Sequence, residues 1–546
     1  MRYILASLNS SRLIKNKQRN ILIITSLAVF TLIVISELLK GNMTNNEIGK
    51  LLLARQYVDP GWIPEDFYIN QPQKYQIIFQ SIFGKLSMAT GFLATSIIGR
   101  MTYYLLFALG VTLLSAEIGL NFYSLLLATI LFLNKQGMIA GEWIIGELGP
   151  KGFSYAFISI ALWLVIKKYY IPMAIILGLA TSFHVLVGGY ATISIALFLV
   201  LQILSRQIEC PSLRKIGAIF IVYIVFGCFS IIPIFQHFTS SSVDSIDSRF
   251  TASYIYVFLR NPHHLYPLAW SIKMWLWLVF YISLATLICF LIHKNKFPFN
   301  SSDLSSQQKS ACSQLSRFAL VMLIPFVLGL VIFPIDRDGK FLQYYPFRFG
   351  DAMLPMITCL LFCRALECSF PHIRVRKIFL SFCAVIVAMT YVHGGFIFIG
   401  QAFALQGFPW NHPDGIRSNG KAMFAWIKDN TPKNSVIISP PAKFNEFTWL
   451  SERATIAKFK HVPSDDATIQ VWYERLNDLS GNPNKWEKVG FAVREQLNDG
   501  YANLTTRQVE SLMLKYKAKY FMTASDHQLD LPIAYQDQEY IIYSSD

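Results

Sequence analysis

Acidic side chains are scarce in this chain: 33 Asp and Glu in 546 residues, against 48 Lys and Arg. Cysteine is scarce and uneven. All eight cysteines precede residue 384, and no two stand at CxxC spacing. That excludes a zinc ribbon or a thioredoxin-type motif and leaves small buried hydrophobes as their reading. There is no P-loop, no GxGxxG, no HExxH and no GxSxG, so ATP-driven transport and soluble hydrolase chemistry find no support. No internal repeat is present, and no long disordered tract.

What is abundant is apolar residue. Hydrophobic residues make up 53% of the chain and mean hydropathy is +0.41, too apolar for a soluble globular protein. The fold class expected is a polytopic α-helical membrane protein with a C-terminal extracytoplasmic α/β domain. Apolar runs predict about 11 spans, near 20–39, 98–117, 120–133, 152–167, 171–186, 188–204, 216–235, 269–292, 317–334, 351–368 and 378–400. The pair around His184 also fits a re-entrant hairpin. The N-terminal basic region and first apolar run, with no small-residue cleavage site after them, read as an uncleaved signal anchor.

The net charge of +15 does not mark a nucleic-acid binder. From Gln401 onward 16 cations meet 17 acids, whereas alternate short loops hold 17 cations against Glu209 and Asp303. This is the positive-inside pattern. It places the protein in the plasma (inner) membrane, N-terminus cytoplasmic, and puts loops 40–97, 134–151, 236–268 and 335–350 outside with the tail. Two domains follow: a membrane domain over 1–400 and an extracytoplasmic α/β domain over 401–546. Within the first loop, 74–95 reads as an interfacial helix. In the tail, helices are expected in 415–430, 464–480 and 486–499, and TTRQVESLMLKYKAKYFMT from Thr505 reads as a capped helix and then a strand. Strands are expected at SVIIS, ATIAKFK, the KYFMT segment and EYIIYSS.

Against the general scarcity of acids, Asp59, Glu65 and Asp66 fall within eight positions of ARQYVDPGWIPEDFYINQP, residues 54–72. This stretch DPGWIPEDFY, together with GELGPKGFSYAFISIALWLVIKKYYIPMAIILGLATSFHVLVGG, FAWIKDNTPKNSVIISPP and LMLKYKAKYFMT, resembles uncharacterised bacterial membrane proteins of the GT-C superfamily. The plan of an acidic first outer loop, about eleven spans and an outer α/β domain is similar to that of its protein mannosyltransferases, oligosaccharyltransferases and lipid A aminoarabinose transferases. The resemblance implies a membrane glycosyltransferase that moves a sugar from a polyprenyl-phosphate donor to an extracytoplasmic glycan, lipid or protein acceptor. The competing reading is a non-catalytic membrane scaffold or lipid-linked glycan transporter.

On that expectation Asp66, Asp59 and Glu65 are candidates for the base that deprotonates the acceptor, with Asp66 ahead of Asp59. The bland alternative is a solvated, proline-rich loop of turn acids, with Arg55 as a partner. Arg348 is the first candidate for the donor phosphate, because a guanidinium offers two parallel hydrogen bonds; its alternative is an Arg348–Asp351 pair. His184, Lys151 and Arg260 are further candidates. Glu142 and Glu147 are the acids to consider for a divalent metal or for orienting the acceptor; the alternative is a loop anchored by Trp143. Arg100, Glu117 and Glu37 stand in or beside apolar spans and are expected at span ends or facing the protein interior. In the tail, Trp449, Arg453, Lys460, Trp472, Tyr473 and Arg475 read as core aromatics with surface cations ahead of a glycan-binding cluster.

Overall fold

The computed structural model describes residues 2–38, 43–71, 76–240, 250–299, 304–370, 373–403, 418–482 and 486–545. Pro72 of the acidic stretch, Arg249 of the third loop, residues 74–75 of the interfacial segment and 415–417 at the start of the first tail helix lie outside them.

Among the described residues eight helices are long and apolar enough to cross a membrane: Gln18–Glu37, Ile77–Ile118, Val185–Leu204, Leu213–Gln236, Ile272–His293, Ser306–Ile332, Arg348–Ser369 and Arg374–Ile397. Three shorter apolar helices, Phe122–Asn134, Pro150–Ile166 and Tyr170–Phe183, fall on the remaining expected spans. Their brevity has local causes. Asn121 caps the first by accepting from the Tyr123 backbone N–H at 3.2 Å. Pro150 opens the second. His184 is the single extended residue between the third and Val185–Leu204.

Burial sorts these helices. Arg348–Ser369 is almost wholly enclosed, with Ala352, Met353, Leu354 and Ile357 fully buried. Leu213–Gln236 and Arg374–Ile397 expose Phe220, Ile221, Val225, Phe382 and Met389, an outward apolar face suited to lipid. The expected interfacial helix is continuous with the following span over Ile77–Ile118. It breaks at Gly91, whose φ of +81° a side chain would rarely adopt. Packed against its first part is the helix Asn45–Val58, opened by a Thr44–Glu47 capping box. The approach is close: a Cβ at Gly84 would stand 2.1 Å from the Ala54 carbonyl oxygen.

The tail holds a five-stranded sheet: β1 Val436–Ile438, β2 Ala454–Thr455, β3 Tyr520–Ala524, β4 Ile533–Gln536 and β5 Tyr540–Ser544. Their order is β2-β1-β3-β5-β4, parallel from β2 to β3 and antiparallel from β3 to β4. Alternate residues face opposite sides. Ile437, Met522 and Ile542 pack with Met423, Phe424 and Ile427 of the helix Ser418–Asn430. Ile438, Phe521 and Ile541 pack with Trp472, Leu497 and Val509 of helices Asp466–Leu479, Val493–Ala502 and Thr506–Tyr516.

Two tail expectations change. ATIAKFK pairs as a strand only at Ala454–Thr455; beyond it the Phe459 N–H turns to the Pro441 carbonyl. Strand β4 is missed because IAYQ is a part-exposed edge with weak alternation. Trp472 is fully buried, and Arg453 is buried against the Thr431 hydroxyl and backbone carbonyls, as core residues of the tail.

The sheet-bearing unit rests on loops of the membrane part. Gln470 reaches the Phe250 carbonyl at 3.3 Å, Arg260 Nε donates to the Phe459 carbonyl at 3.0 Å, and the Arg475 guanidinium lies 4.2 Å from the Phe67 ring centre.

Candidate anion site between the membrane helices and the α/β domain

The loop between Asn134 and Pro150 has no regular structure, so its backbone polar groups need partners from elsewhere. It finds them. Asp351, buried at the start of its helix, accepts from the backbone N–H groups of Met138 (2.8 Å), Ile139 (2.7 Å) and Glu142 (3.0 Å). The Gln136 side chain accepts from Ile144 and Ile145 N–H and donates to the Ile145 carbonyl. Tyr103 and Tyr104 donate to the carbonyls of Glu147 and Gly146. Glu47 accepts from the Leu148 N–H at 3.1 Å while paired with Arg100 and bonded by the Ser96 hydroxyl. Arg100 and Glu47 thus form a buried ion pair that fixes the loop.

The loop so held presents Glu142. Its Oε1 accepts from Arg348 Nε at 2.7 Å and its Oε2 from Lys151 Nζ at 3.2 Å. Each cation also lies on an aromatic face: Arg348 is 3.7 Å from the Tyr345 ring centre, Lys151 3.5 Å from that of Trp143. Tyr345 holds a left-handed backbone, φ +55° and ψ +53°, an uncommon strain for a bulky residue. Burial alone would raise the Glu142 carboxyl, but Arg348 and then Lys151 hold it well below the ordinary carboxylate value. It therefore stays ionised and orients two cations.

Around this trio stand more cations than it neutralises. Lys50, from the helix Asn45–Val58, is in electrostatic reach of Arg348, Lys151 and Glu147, and its pKa is brought down to about 8, first by burial and then by Arg348. His184 is in reach of Arg348, Lys50, Lys151 and Glu142. Its Nδ1 accepts from the Val187 backbone N–H at 3.3 Å, which leaves the proton of a neutral ring on Nε2 as a donor. From the third loop, His264 Nδ1 meets the Ala140 carbonyl, and burial brings its pKa down to about 4. From the tail, Lys460 is in reach of Arg260, Glu147 and Lys151, and its pKa falls to about 8 by burial and then Arg260.

Beside the trio is a cleft of about 460 Å³, lined among others by Thr44, Asn134, Gln136, Glu142, Trp143 and Glu147. Glu147 accepts from the Thr44 hydroxyl. Its pKa is raised by burial, against the opposing pull of Lys151. Two acids thus share one wall with opposite tuning. Among the described residues no three His, Cys, Asp or Glu side chains form a metal-holding group, and Glu142 is already committed to two cations.

The acids of the first loop lie elsewhere. Asp66 is 2% exposed. Its Oδ1 accepts from Tyr68 N–H (3.0 Å) and Ile69 N–H (3.1 Å), its Oδ2 from the Thr448 hydroxyl (3.0 Å) and Thr455 N–H (3.1 Å). It joins the first loop to β2 of the tail rather than facing the cleft. Asp59 follows the helix Asn45–Val58 and pairs with Arg55 at 3.4 Å, its side chain 37% exposed. Glu65 is exposed. None of the three lines the cleft. The structure brings together Arg348, Lys151, His184, Glu142 and Glu147, with Arg260 at the tail-side edge. Instead of pairing with Asp351, Arg348 pairs with Glu142. Lys50 was not among the expected site residues, and Lys460 was expected only within the tail's aromatic and basic cluster. The Thr44-x-x-Glu47 capping signature locates the helix that carries Lys50, but no local pattern links Lys460 to it across 410 positions.

A family profile described as a domain of unknown function, DUF6798, matches residues 418–479. That segment carries β1, β2, Thr448, Thr455 and Lys460. No curated protein matches the sequence. Among solved structures, the apo oligosaccharyltransferase of Archaeoglobus fulgidus is similar at 11% identity over 92% of this chain and 69% of that chain, TM-score 0.47. Archaeoglobus fulgidus AglB in complex with an inhibitory peptide and a dolichol-phosphate is similar at 12% identity, 93% and 69% coverage, TM-score 0.47. ArnT from Cupriavidus metallidurans bound to undecaprenyl phosphate is similar at 10% identity, 97% and 98% coverage, TM-score 0.44. At TM-scores below 0.5 these likenesses assign neither fold nor residue roles.

Proposed function

We propose that the chain is a membrane glycosyltransferase of the GT-C type, which takes a sugar from a polyprenyl-phosphate donor and passes it to an acceptor on the face that carries the α/β domain. The observation that carries this reading is the Arg348–Glu142–Lys151 trio with Lys50 and His184 beside it. Two cations share one carboxylate, a third has no ion-pair partner among the described residues, and a neutral imidazole offers an N–H. Such a set attracts a phosphate at the end of apolar helices, where a lipid tail has somewhere to lie. The motif resemblance of the chain, and a charge pattern that orients this face outward, agree with it.

In this reading the acceptor hydroxyl or amine attacks the anomeric carbon and the bond from that carbon to the phosphate oxygen breaks. The phosphate keeps the electron pair, and Arg348, Lys151 and Lys50 stabilise its growing charge. The acceptor's proton goes to a carboxylate. Glu147 suits that role better than Asp66 or Asp59. It lines the cleft, and its raised pKa makes it the stronger base when ionised. Glu142, held ionised between two cations, is a poor base and a good positioner.

The test is turnover of a lipid-linked sugar pool, or surface glycan content, in Glu147→Gln and Arg348→Gln cells. Loss of a general base costs about 10²–10⁴ in rate, so Glu147→Gln should nearly abolish transfer while retaining lipid-phosphate binding. That none of Asp59, Glu65 and Asp66 lines the cleft favours a second reading, a lipid-phosphate-binding scaffold or transporter without transfer. Wild-type glycan in Glu147→Gln together with loss in Arg348→Gln would select it.

A further inference from the structure

The cations on the tail side of the site are not needed to hold one phosphate. Arg260 is 3% exposed. Its Nε donates to the Phe459 carbonyl (3.0 Å) and its Nη1 to Asn261 Oδ1 (3.3 Å), and its guanidinium stands 4.4 Å from the Phe459 ring centre and 5.4 Å from that of Phe491. Lys460 Nζ is 5.4 Å from the same Phe491 ring. Among the described residues neither cation has an ion-pair partner, and the charge that acts on both besides each other is Arg494, another cation. A buried guanidinium without a carboxylate is costly unless an anion visits it.

A second observation is independent of charge. His461, beside Lys460, is 5% exposed and stacks on Tyr68 at 4.6 Å between ring centres. Its Nε2 is buried with no hydrogen-bond partner. His263 presents a buried Nδ1 in the same condition, with its ring 4.6 Å from Phe491. Two orphaned imidazole nitrogens flank the two unpaired cations, and unsatisfied buried groups of this kind ask for a ligand.

This second cluster is continuous with the first. Lys460 feels Lys151 and Glu147, and His263 feels Glu142. Across both, among the described residues, the acids in electrostatic reach of Lys50, Lys151, Arg348 and Lys460 are Glu142 and Glu147, so the cations of the two clusters outnumber them. A sugar-linked monophosphate diester brings one negative charge; a ligand with two phosphates brings at least two.

We propose that Arg260 and Lys460 form a second phosphate subsite, at the seam between the third loop and the α/β domain, so that the protein binds two phosphoryl groups at once. The second is either the other phosphate of a diphosphate-linked lipid or a phosphate on the acceptor. This rests on the reading that the Arg348 cluster holds the first phosphate. The α/β domain then supplies a ligand-binding cation instead of acting only as a cover.

The experiment measures binding of undecaprenyl phosphate and undecaprenyl diphosphate to the full chain in nanodiscs, with and without inorganic phosphate. Wild type is compared with Lys460→Gln, Arg260→Gln and Arg348→Gln. Lys460 is half-exposed, so its variant keeps the test alive if Arg260→Gln fails to fold. A lipid source predicts diphosphate at least tenfold tighter than monophosphate, a preference lost in Lys460→Gln with monophosphate binding kept. An acceptor source predicts no such preference, but saturable binding of inorganic phosphate to the monophosphate-loaded protein, lost in Lys460→Gln. If wild type shows neither, or Lys460→Gln retains both, the second subsite is wrong. Failure of the first reading is separate: monophosphate binding would then be absent or indifferent to Arg348→Gln.

Discussion

Asp66→Asn should loosen the α/β domain without touching the chemistry. The isosteric amide keeps one oxygen where Oδ1 accepts from the Tyr68 and Ile69 N–H groups. On the other side an NH₂ replaces Oδ2. The Thr448 hydroxyl can rotate and accept from it, but the Thr455 N–H, now facing another donor, cannot. One charge-assisted bond is lost outright and a buried N–H is stranded, together about 2–4 kcal/mol. Asp66→Ala strands all four donors and should cost more, on the order of 4 kcal/mol or above. Thermal melting and limited proteolysis of the purified protein read the docking, and undecaprenyl phosphate binding reads the site. Expected is a lower melting temperature, faster cleavage between the two parts and unchanged lipid affinity at temperatures where the variant is folded. A variant that melts like wild type yet transfers no sugar would refute the reasoning and return Asp66 to the chemistry.

Other outcomes follow from the same contacts. Glu142→Gln leaves Arg348 and Lys151 without their shared carboxylate, so apo stability should fall by about 3–5 kcal/mol, while phosphate ligands should stabilise the variant more than they stabilise wild type; equal ligand shifts in a melting assay would contradict this. Lys50 and Lys460 have pKa values near 8, below those of free lysine. Both are charged below that pH and lose charge above it, so affinity for undecaprenyl phosphate should fall as pH rises through about 8 on account of Lys50, and the preference for a diphosphate lipid should fall on account of Lys460; flat profiles from pH 7 to 9 would count against these roles. Lys458 is buried against the Pro440 and Lys443 carbonyls, and burial brings its pKa down to about 7. With its folded value below its unfolded one, the unfolded chain binds more protons between these values, and tail stability should rise with pH from about 7 to 10; chemical denaturation at several pH values checks the sign. Arg100→Met strands Glu47 in a buried site and should cost about 3–5 kcal/mol, visible as a lower melting temperature with loss of the cleft loop's protection from hydrogen exchange.

How much of this was legible beforehand differs between scaffold and site. Among the described residues the apolar helices could be placed from hydropathy because a membrane-crossing helix needs a long apolar run, and the three shorter ones end at visible signals such as Asn121, Pro150 and His184. Arg348, Lys151 and His184 are expected from the sequence as phosphate ligands, and the structure places them in electrostatic reach of one another around Glu142. The direction in which the first-loop acids face could not be read in the same way. Clustering made Asp59, Glu65 and Asp66 conspicuous, but a cluster in sequence says nothing about direction. Asp66 turns toward Thr448 and Thr455, some 380 positions away, and Asp59 back to Arg55. Glu142 and Glu147 are candidates in the sequence as outer-loop acids, but their place on one cleft wall shows only once Asp351 folds their loop around three backbone N–H groups. Lys460 stands out in the sequence only within the tail's aromatic and basic cluster, and the docking of the tail is what brings it into reach of Lys151.

The central claim is that the Arg348–Glu142–Lys151 cluster holds a lipid phosphate. Its most direct measurement is the affinity of undecaprenyl phosphate for the full chain and for Arg348→Gln in nanodiscs, across a range of salt. Expected is saturable wild-type binding that weakens with salt, at least tenfold weaker in Arg348→Gln, with no dependence on whether Asp66 is replaced by Asn. Equal affinity in wild type and Arg348→Gln would contradict it.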